Sequence, residues 1–182
     1  MTTRIRRDAE ISDVDGGWFR ARWHFSFDSY HDPEYMQFGT LRVFNDDRLV
    51  PGAIWPMHPH KDIEGLTYVV EGSFRHEDDV GGAPGPLPAG SVQRMTLGRG
   101  AFHSEQNASE TEPMRFIQIW IMPAERGLPP GRGAYLYLIE GDVGMNGERM
   151  ETGSAAQITD EERVEIAASS ASELILVDVA LG

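Results

Sequence analysis

Residues 52–72 read GAIWPMHPHKDIEGLTYVVEG, and residues 98–107 read GRGAFHSEQN. The first stretch carries His58, His60 and Glu64 between Gly52 and Gly72; the second carries His103 and Glu105. Side chains two residues apart leave the same face of an extended strand, so His58 pairs with His60, and His103 with Glu105. Helical sites space their ligands three or four residues apart, so this spacing predicts a β protein. Three imidazoles and one carboxylate suit a first-row transition metal, with positions left for water or substrate. We expect two strands facing each other across a barrel interior to point these groups at one centre. With six histidines in 182 residues, chance gives a His-x-His pair roughly 0.2 times; adding Glu64, Gly52 and Gly72 lowers that to about 0.0002. Accident does not account for the pattern.

Composition removes several alternatives. The chain has no cysteine, so disulfides and thiolate ligands are excluded and a metal must be held by nitrogen and oxygen. No run of eighteen apolar residues occurs, so no membrane association is expected. The start, MTTRIRRDAEISDVDGG, lacks the apolar segment of a secretory signal, and a chain without disulfides fits a cytoplasmic location. A formal charge of -13 argues against a nucleic-acid binder, which needs a basic face. Arg4, Arg6 and Arg7 read as part of a solvated N-terminal strand.

In chain order, the aromatic stretch 17–30 mostly alternates at Phe19, Trp23, Phe25 and Phe27, as a half-buried strand does. His24 and His31 lie there without metal-type neighbours and read as structural or surface residues. GTLRVFNDD at 39–47 reads as a strand ending in a turn. Short strands follow at 53–57, 66–71, 73–77, 91–96 and 114–122, with a Gly/Pro loop at 81–90. His76 is placed to hydrogen-bond a ligand histidine rather than to touch metal. Met57, Phe102, Gln118 and Trp120 are candidate pocket walls. Beyond a Pro/Gly linker at 124–133 the chain echoes itself. Tyr68–Gly72 returns as Tyr137–Gly141, and Ala89-Gly90-Ser91 as Thr152-Gly153-Ser154. Asn146-Gly147 between these repeats reads as a type I′ hairpin turn. No histidine follows His103, so the second copy carries no metal site.

The spacing G-x5-H-x-H-x3-E-x6-G from Gly52 to Gly72 matches the first cupin motif. SVQRMTLGRGAFHSE at 91–105 resembles more narrowly the pirin family, and WHFSFDSYHDPEYMQFGTLRVFNDD at 23–47 resembles its bacterial quercetinase branch. The likeness runs from about residue 4 to 125 and resumes from about 134. It implies an all-β, jelly-roll-like cupin barrel at 1–123 carrying the metal site. The 124–133 linker then leads to an abbreviated, metal-free cupin half at 134–182. Family members have a fuller second barrel; here about five strands are expected, so N-terminal strands or a partner chain are needed to complete it.

The resemblance also carries chemistry. The general cupin pattern assigns the fourth ligand to Glu64; the pirin pattern assigns it to Glu105, with Glu64 in support. We therefore expect His58, His60, His103 and Glu105 as metal ligands and Glu64 as a supporting or alternative ligand. Fe(II) is the expected ion, with Mn, Co, Ni, Cu or Zn able to occupy similar donors. The implied reaction is 2,3-dioxygenation of a flavonol such as quercetin with dioxygen, Glu105 acting as general base. The alternative is a non-enzymatic, metal-dependent regulatory module whose acidic surface meets a protein partner. A monomer or homodimer fits either.

Overall fold

The computed structural model describes residues 2–79, 85–97, 100–122, 132–159, 166–168 and 170–180. The expected loop positions 81–84, the motif glycines Gly82 and Gly98, Pro123 and most of the 124–133 linker lie outside them. The described chain is almost entirely strand, and no helix in it is long and apolar enough to cross a membrane.

Two compact units share the sequence unevenly. The larger comprises Ser12–Gln37 and Leu41–Pro123; the other gathers Met1–Ile11, Phe38–Thr40 and Ala124–Gly182. The first strand, β1 (Thr2–Arg6), therefore belongs with the C-terminal residues. A 3-10 turn at Asp8–Glu10 follows it. The larger unit then supplies β2 (Ser12–Asp15), β3 (Phe19–Trp23), β4 (Leu41–Leu49), β5 (Ile54–His60), β6 (Glu64–Glu71) and β7 (Ser73–Asp78). It continues with β8 (Leu87–Pro88), β9 (Val92–Thr96), β10 (Ala101–Asn107) and β11 (Met114–Ile121).

These strands make two sheets, ordered β5-β10-β7-β8 and β2-β3-β4-β11-β6-β9. They pack face to face over a core of Leu49, Val69, Phe74, Met114 and Phe116, with the Phe74 and Phe116 rings 5.3 Å apart. The described hydrogen-bonded ladders stay separate rather than closing into a barrel. Consequently β5 and β10, expected to face each other across an interior, are neighbours in one sheet, with His103 paired directly to His58.

The central strands β4 and β11 are buried along almost their whole length. The NDD run at 45–47, read from its turn-forming residues as a strand end, lies inside β4, and all three side chains are buried. The run is tolerated because Asp46 takes a bidentate hydrogen bond from Arg115 on β11, at 2.6 and 2.9 Å, while Asn45 and Asp47 face the opposite way. The aromatic alternation at 19–27 ends as a strand at Trp23; Phe27 then bridges Tyr30 in a tight turn.

The second unit contains β12 (Arg132–Glu140), β13 (Asp142–Met145), β14 (Glu148–Glu151), β15 (Ala155–Thr159), β16 (Ile166–Ala168) and β17 (Glu173–Ala180). β1 completes its four-stranded sheet, ordered β1-β15-β12-β17, and Ile5 packs on the core of Leu136, Leu138, Val143, Met145, Met150, Ala156 and Ile158. The N-terminal strand thus supplies the edge that the short C-terminal half needed. Arg6, expected in solvent, is buried, its guanidinium donating to the Glu10 carbonyl at 2.9 Å. Asn146 and Gly147 have φ of 46° and 85°, the type I′ turn that their sequence demands.

The internal repeat is preserved bond for bond. Val69 N–H donates to Ser91 and Gly90 N–H to Val69, at 3.0 and 2.8 Å; Leu138 N–H donates to Ser154 and Gly153 N–H to Leu138 at the same distances. Gly72 occupies the corner where the chain passes from one sheet of the larger unit to the other. Its φ is +79°, and a β-carbon there would lie 2.5 Å from the Pro113 carbonyl oxygen. Gly90 has φ +84° with nothing within 4 Å of such a carbon. Gly90→Ala should lower the unfolding free energy by about 1–2 kcal/mol, the conformational cost alone. Gly72→Ala should cost clearly more in the same urea titration, because backbone must also move.

Candidate metal centre

Register converts the sequence spacing into a cluster. His58 and His60 on β5, His103 and Glu105 on β10, and His76 and Asp78 on β7 share one face of the four-stranded sheet. The pairing runs His58↔His103↔Asp78 and Glu105↔His76. The β5–β10 ladder shifts between His103 and Glu105: two residues of β10 span three of β5, from His58 to Trp55. The extra residue falls at Pro56-Met57, a bulge in an edge strand, where proline's missing N–H does no harm. Without the bulge, Trp55 and His58 would point to opposite faces. With it, Trp55 packs on the core while both histidines face the cluster.

The ring centroids of His58, His60 and His103 form a triangle with sides of 4.6, 4.5 and 4.8 Å. One nitrogen from each lies within 4.8 Å of the other two. Hydrogen bonds fix which nitrogens carry protons. His58 Nδ1 lies 2.7 Å from the Pro56 carbonyl oxygen and must donate to it, leaving Nε2 as a lone pair. His76 Nδ1 lies 3.5 Å from Asp78 Oδ2 without forming a hydrogen bond, a contact that favours a proton on that nitrogen and makes His76 Nε2 the acceptor, 2.8 Å away, of the His103 Nδ1 proton. In that tautomer His103 Nε2 is also a lone pair, 3.1 Å from that of His58. His60 Nε2 is buried with no partner. Two lone pairs and an unpartnered ring nitrogen then face one another. A shared cation resolves this, and 3.1 Å suits two nitrogens bound side by side to one ion at about 2.1 Å each.

Electrostatics holds the rings in the ligating form. Burial, with the neighbouring His58, pushes His60 down to about 4; burial and the other histidines push His103 down to about 3, against the pull of Asp78. Glu105 is buried beside them, its Oε1 without a hydrogen-bond partner, and burial pushes its carboxyl up to about 8. It lines both cavities that flank the cluster, which hold about 10 and 30 Å³. Its carboxylate is not among the atoms within 4.8 Å of one another.

Glu64 is placed elsewhere. A turn through Asp62, φ 58°, ends β5 at His60 and starts β6 in the other sheet. There Gly65 and Thr67 line the cavity, so by alternation Glu64 faces away, its carboxylate 3.1 Å from Arg94 Nη2. Gln118 and Trp120 do form cavity walls, Trp120 packing edge-on to His60 at 4.3 Å. Met57 and Phe102 do not; both are about half exposed on the outer side of the sheet. His24 is buried against Phe44 and His31 is exposed, both apart from the cluster. Asp78, Asn45 and Asp47 were missed from sequence. Asp78, two residues beyond His76, is the kind of carboxylate that orients a histidine and was legible in principle.

The His103–His76–Asp78 chain fixes a ring that the cluster needs, so His76→Phe should weaken nickel(II) binding by roughly 10–100-fold in calorimetry while leaving the thermal transition cooperative.

Comparison with known proteins agrees with this geometry. A family profile described as pirin matches residues 4–121, and one described as quercetinase C-terminal cupin domain matches residues 123–179. A quercetin 2,3-dioxygenase of Escherichia coli (strain K12) is 33% identical over 227 aligned positions, covering 96% of this chain and 97% of the relative. Since this chain has 182 residues, parts of that protein fall opposite gaps here. A pirin-like protein of Caulobacter vibrioides is 45% identical over 125 residues, 69% of this chain and 53% of its own. The crystal structure of the bacterial pirin YhhW from Escherichia coli in complex with nickel(II) superposes with a TM-score of 0.93 at 31% identity, covering all of both chains. On the profile match and the shared fold together, this chain belongs to the pirin family of cupin proteins.

Proposed function

We propose that this chain is a metal-dependent dioxygenase that cleaves a flavonol such as quercetin, with His58, His60, His103 and Glu105 holding one Fe(II). The observation that carries the reading is the convergence of three imidazole nitrogens beside a buried, unpartnered carboxyl oxygen. The naming of the E. coli relative as a quercetin 2,3-dioxygenase supports the choice of substrate. A bound iron(II) supplies acidity to a ligating hydroxyl and electrons to dioxygen.

The chain's own residues do the remainder. His60 and His103, whose burial holds them well below the ordinary imidazole value, and His58 present nitrogen to the ion. Glu105, a labile fourth ligand, accepts the proton of the flavonol 3-hydroxyl at a carboxylate oxygen. Trp120 and Phe27, 5.4 Å apart, wall the centre and keep bulk water from it. The interior cavities hold at most a water each, so the flavonol approaches where His58 and His60 are half-exposed.

Glu105 ligation has a proton signature. At pH 7 a carboxyl raised to about 8 is mostly protonated, whereas His60 and His103, lowered to about 4 and about 3, carry no extra proton to lose. Binding nickel(II) should therefore release about one proton per ion, read from calorimetry in buffers of different ionisation enthalpy. Glu105→Gln should bring that release close to zero. An unchanged release in Glu105→Gln would remove Glu105 as the ligand.

With Fe(II) loaded, the protein should consume dioxygen and bleach the long-wavelength absorption of quercetin, and His60→Ala should abolish both. Normal metal binding without turnover on any flavonol would sink the enzymatic reading. It would favour a metal-dependent protein-binding module, which the charge of -13 suits.

A further inference from the structure

The 30 Å³ cavity beside the cluster is bounded from the opposite sheet by Asn45 and Asp47 of β4 and Gln118 of β11, and from the cluster side by His58 and Glu105. Asp47 is 4% exposed, and neither its Oδ1 nor Glu105 Oε1 has a hydrogen-bond partner. Asn45 Oδ1 is likewise unpartnered. Two carboxyls thus face one small space without bonding each other. Leaving such groups unsatisfied in the interior is costly, and nothing in the reaction outlined above uses Asp47.

The space and its lining specify the occupant. A volume of about 30 Å³ admits one water and excludes a substrate fragment. The unpartnered atoms that line the space are oxygens; a water can donate to two of them and accept one hydrogen bond from the Gln118 amide. A bare cation would need five or six oxygens in the same volume.

We propose that Asp47 is a positioning residue for the metal centre, holding one buried water that bridges its Oδ1 to Glu105 Oε1 and so fixes the orientation of the Glu105 carboxylate. This rests on Glu105 as a ligand. Burial and the nearby Glu105 and Asp46 charges raise Asp47 well above the usual carboxylate range, against the pull of the Trp23 indole N–H. The arrangement mirrors the other side of the cluster, where His76 and Asp78 orient His103.

The test uses nickel(II) affinity by calorimetry and the d–d absorption of the cobalt(II)-loaded protein. Asp47→Asn keeps a polar group and should stay within about twofold of wild-type affinity, with an unchanged spectrum. Asp47→Leu fills the cavity, and affinity should fall about tenfold with an altered cobalt spectrum. In the Glu105→Gln background the same substitution should have no further effect. Wild-type affinity and spectrum in Asp47→Leu, or an equal penalty in both backgrounds, would overturn the proposal. Wild-type affinity in Glu105→Gln alone would instead remove the ligand assignment beneath it. A high-resolution crystal structure of the nickel-loaded wild type decides the matter even if Asp47→Leu fails to fold. A water within hydrogen-bond distance of both carboxyl oxygens is expected; an empty cavity, or a direct Asp47–Glu105 bond, refutes it.

Discussion

The histidine cluster depends on one cross-strand pair, His58 opposite His103, and on the single extra residue at Pro56-Met57 beside it. Side chains on a sheet have a period of two, so any slip of register would send half the cluster to the outer face. The bulge lets β5 satisfy two demands of opposite parity: Trp55 partly buried against the core, and His58 and His60 in the cluster. Prolines at 56 and 59 are admissible because β5 is an edge strand, and they also blunt that edge against pairing with another chain.

Much of this was legible from i, i+2 spacing and from the glycines. The paired histidines announced a β site, and the repeated Tyr–Glu-Gly and Gly-Ser segments announced a second copy of the same frame. Two things were not legible. Spacing fixes which face a side chain takes but not which strands are neighbours, so β5 and β10 were expected across an interior and are instead adjacent. The NDD run has the composition of a turn, and local propensity reads it so. It is buried mid-strand because Arg115, 69 positions along the chain, neutralises Asp46. The small cavity takes up the other two polar side chains. Polar residues that break a strand pattern without ending the strand mark places where stability gives way to another demand.

The repeat shows how separable frame and chemistry are. Gly90 and Gly153, Val69 and Leu138, and Ser91 and Ser154 make the same hydrogen bonds at the same distances, yet only the first copy carries histidines. In the second, the interior positions of β12, β13 and β15 are filled by Leu136, Leu138, Val143, Met145, Ala156 and Ile158. Hydrophobic side chains do there what the clustered histidines do in the first copy, which is to fill the space between strands. Function is carried by the side chains placed on the frame and not by the frame itself.

That substitution also shows what the polar copy costs when empty. His60 and His103 have folded-state values of about 4 and about 3, below the ordinary 6.5, so their contribution to stability is lost as pH falls from 6.5. Glu105 has a folded-state value of about 8, above 4.5, so its contribution is lost as pH rises from 4.5 through 8. The two penalties overlap between about 4.5 and 6.5, and no pH relieves both while the groups face only one another. On the proposed ligation a divalent ion would relieve both together, taking ring nitrogens and stabilising the carboxylate in one step. Ion binding and folding of the first copy would then be linked, through the same burial that shifts these groups.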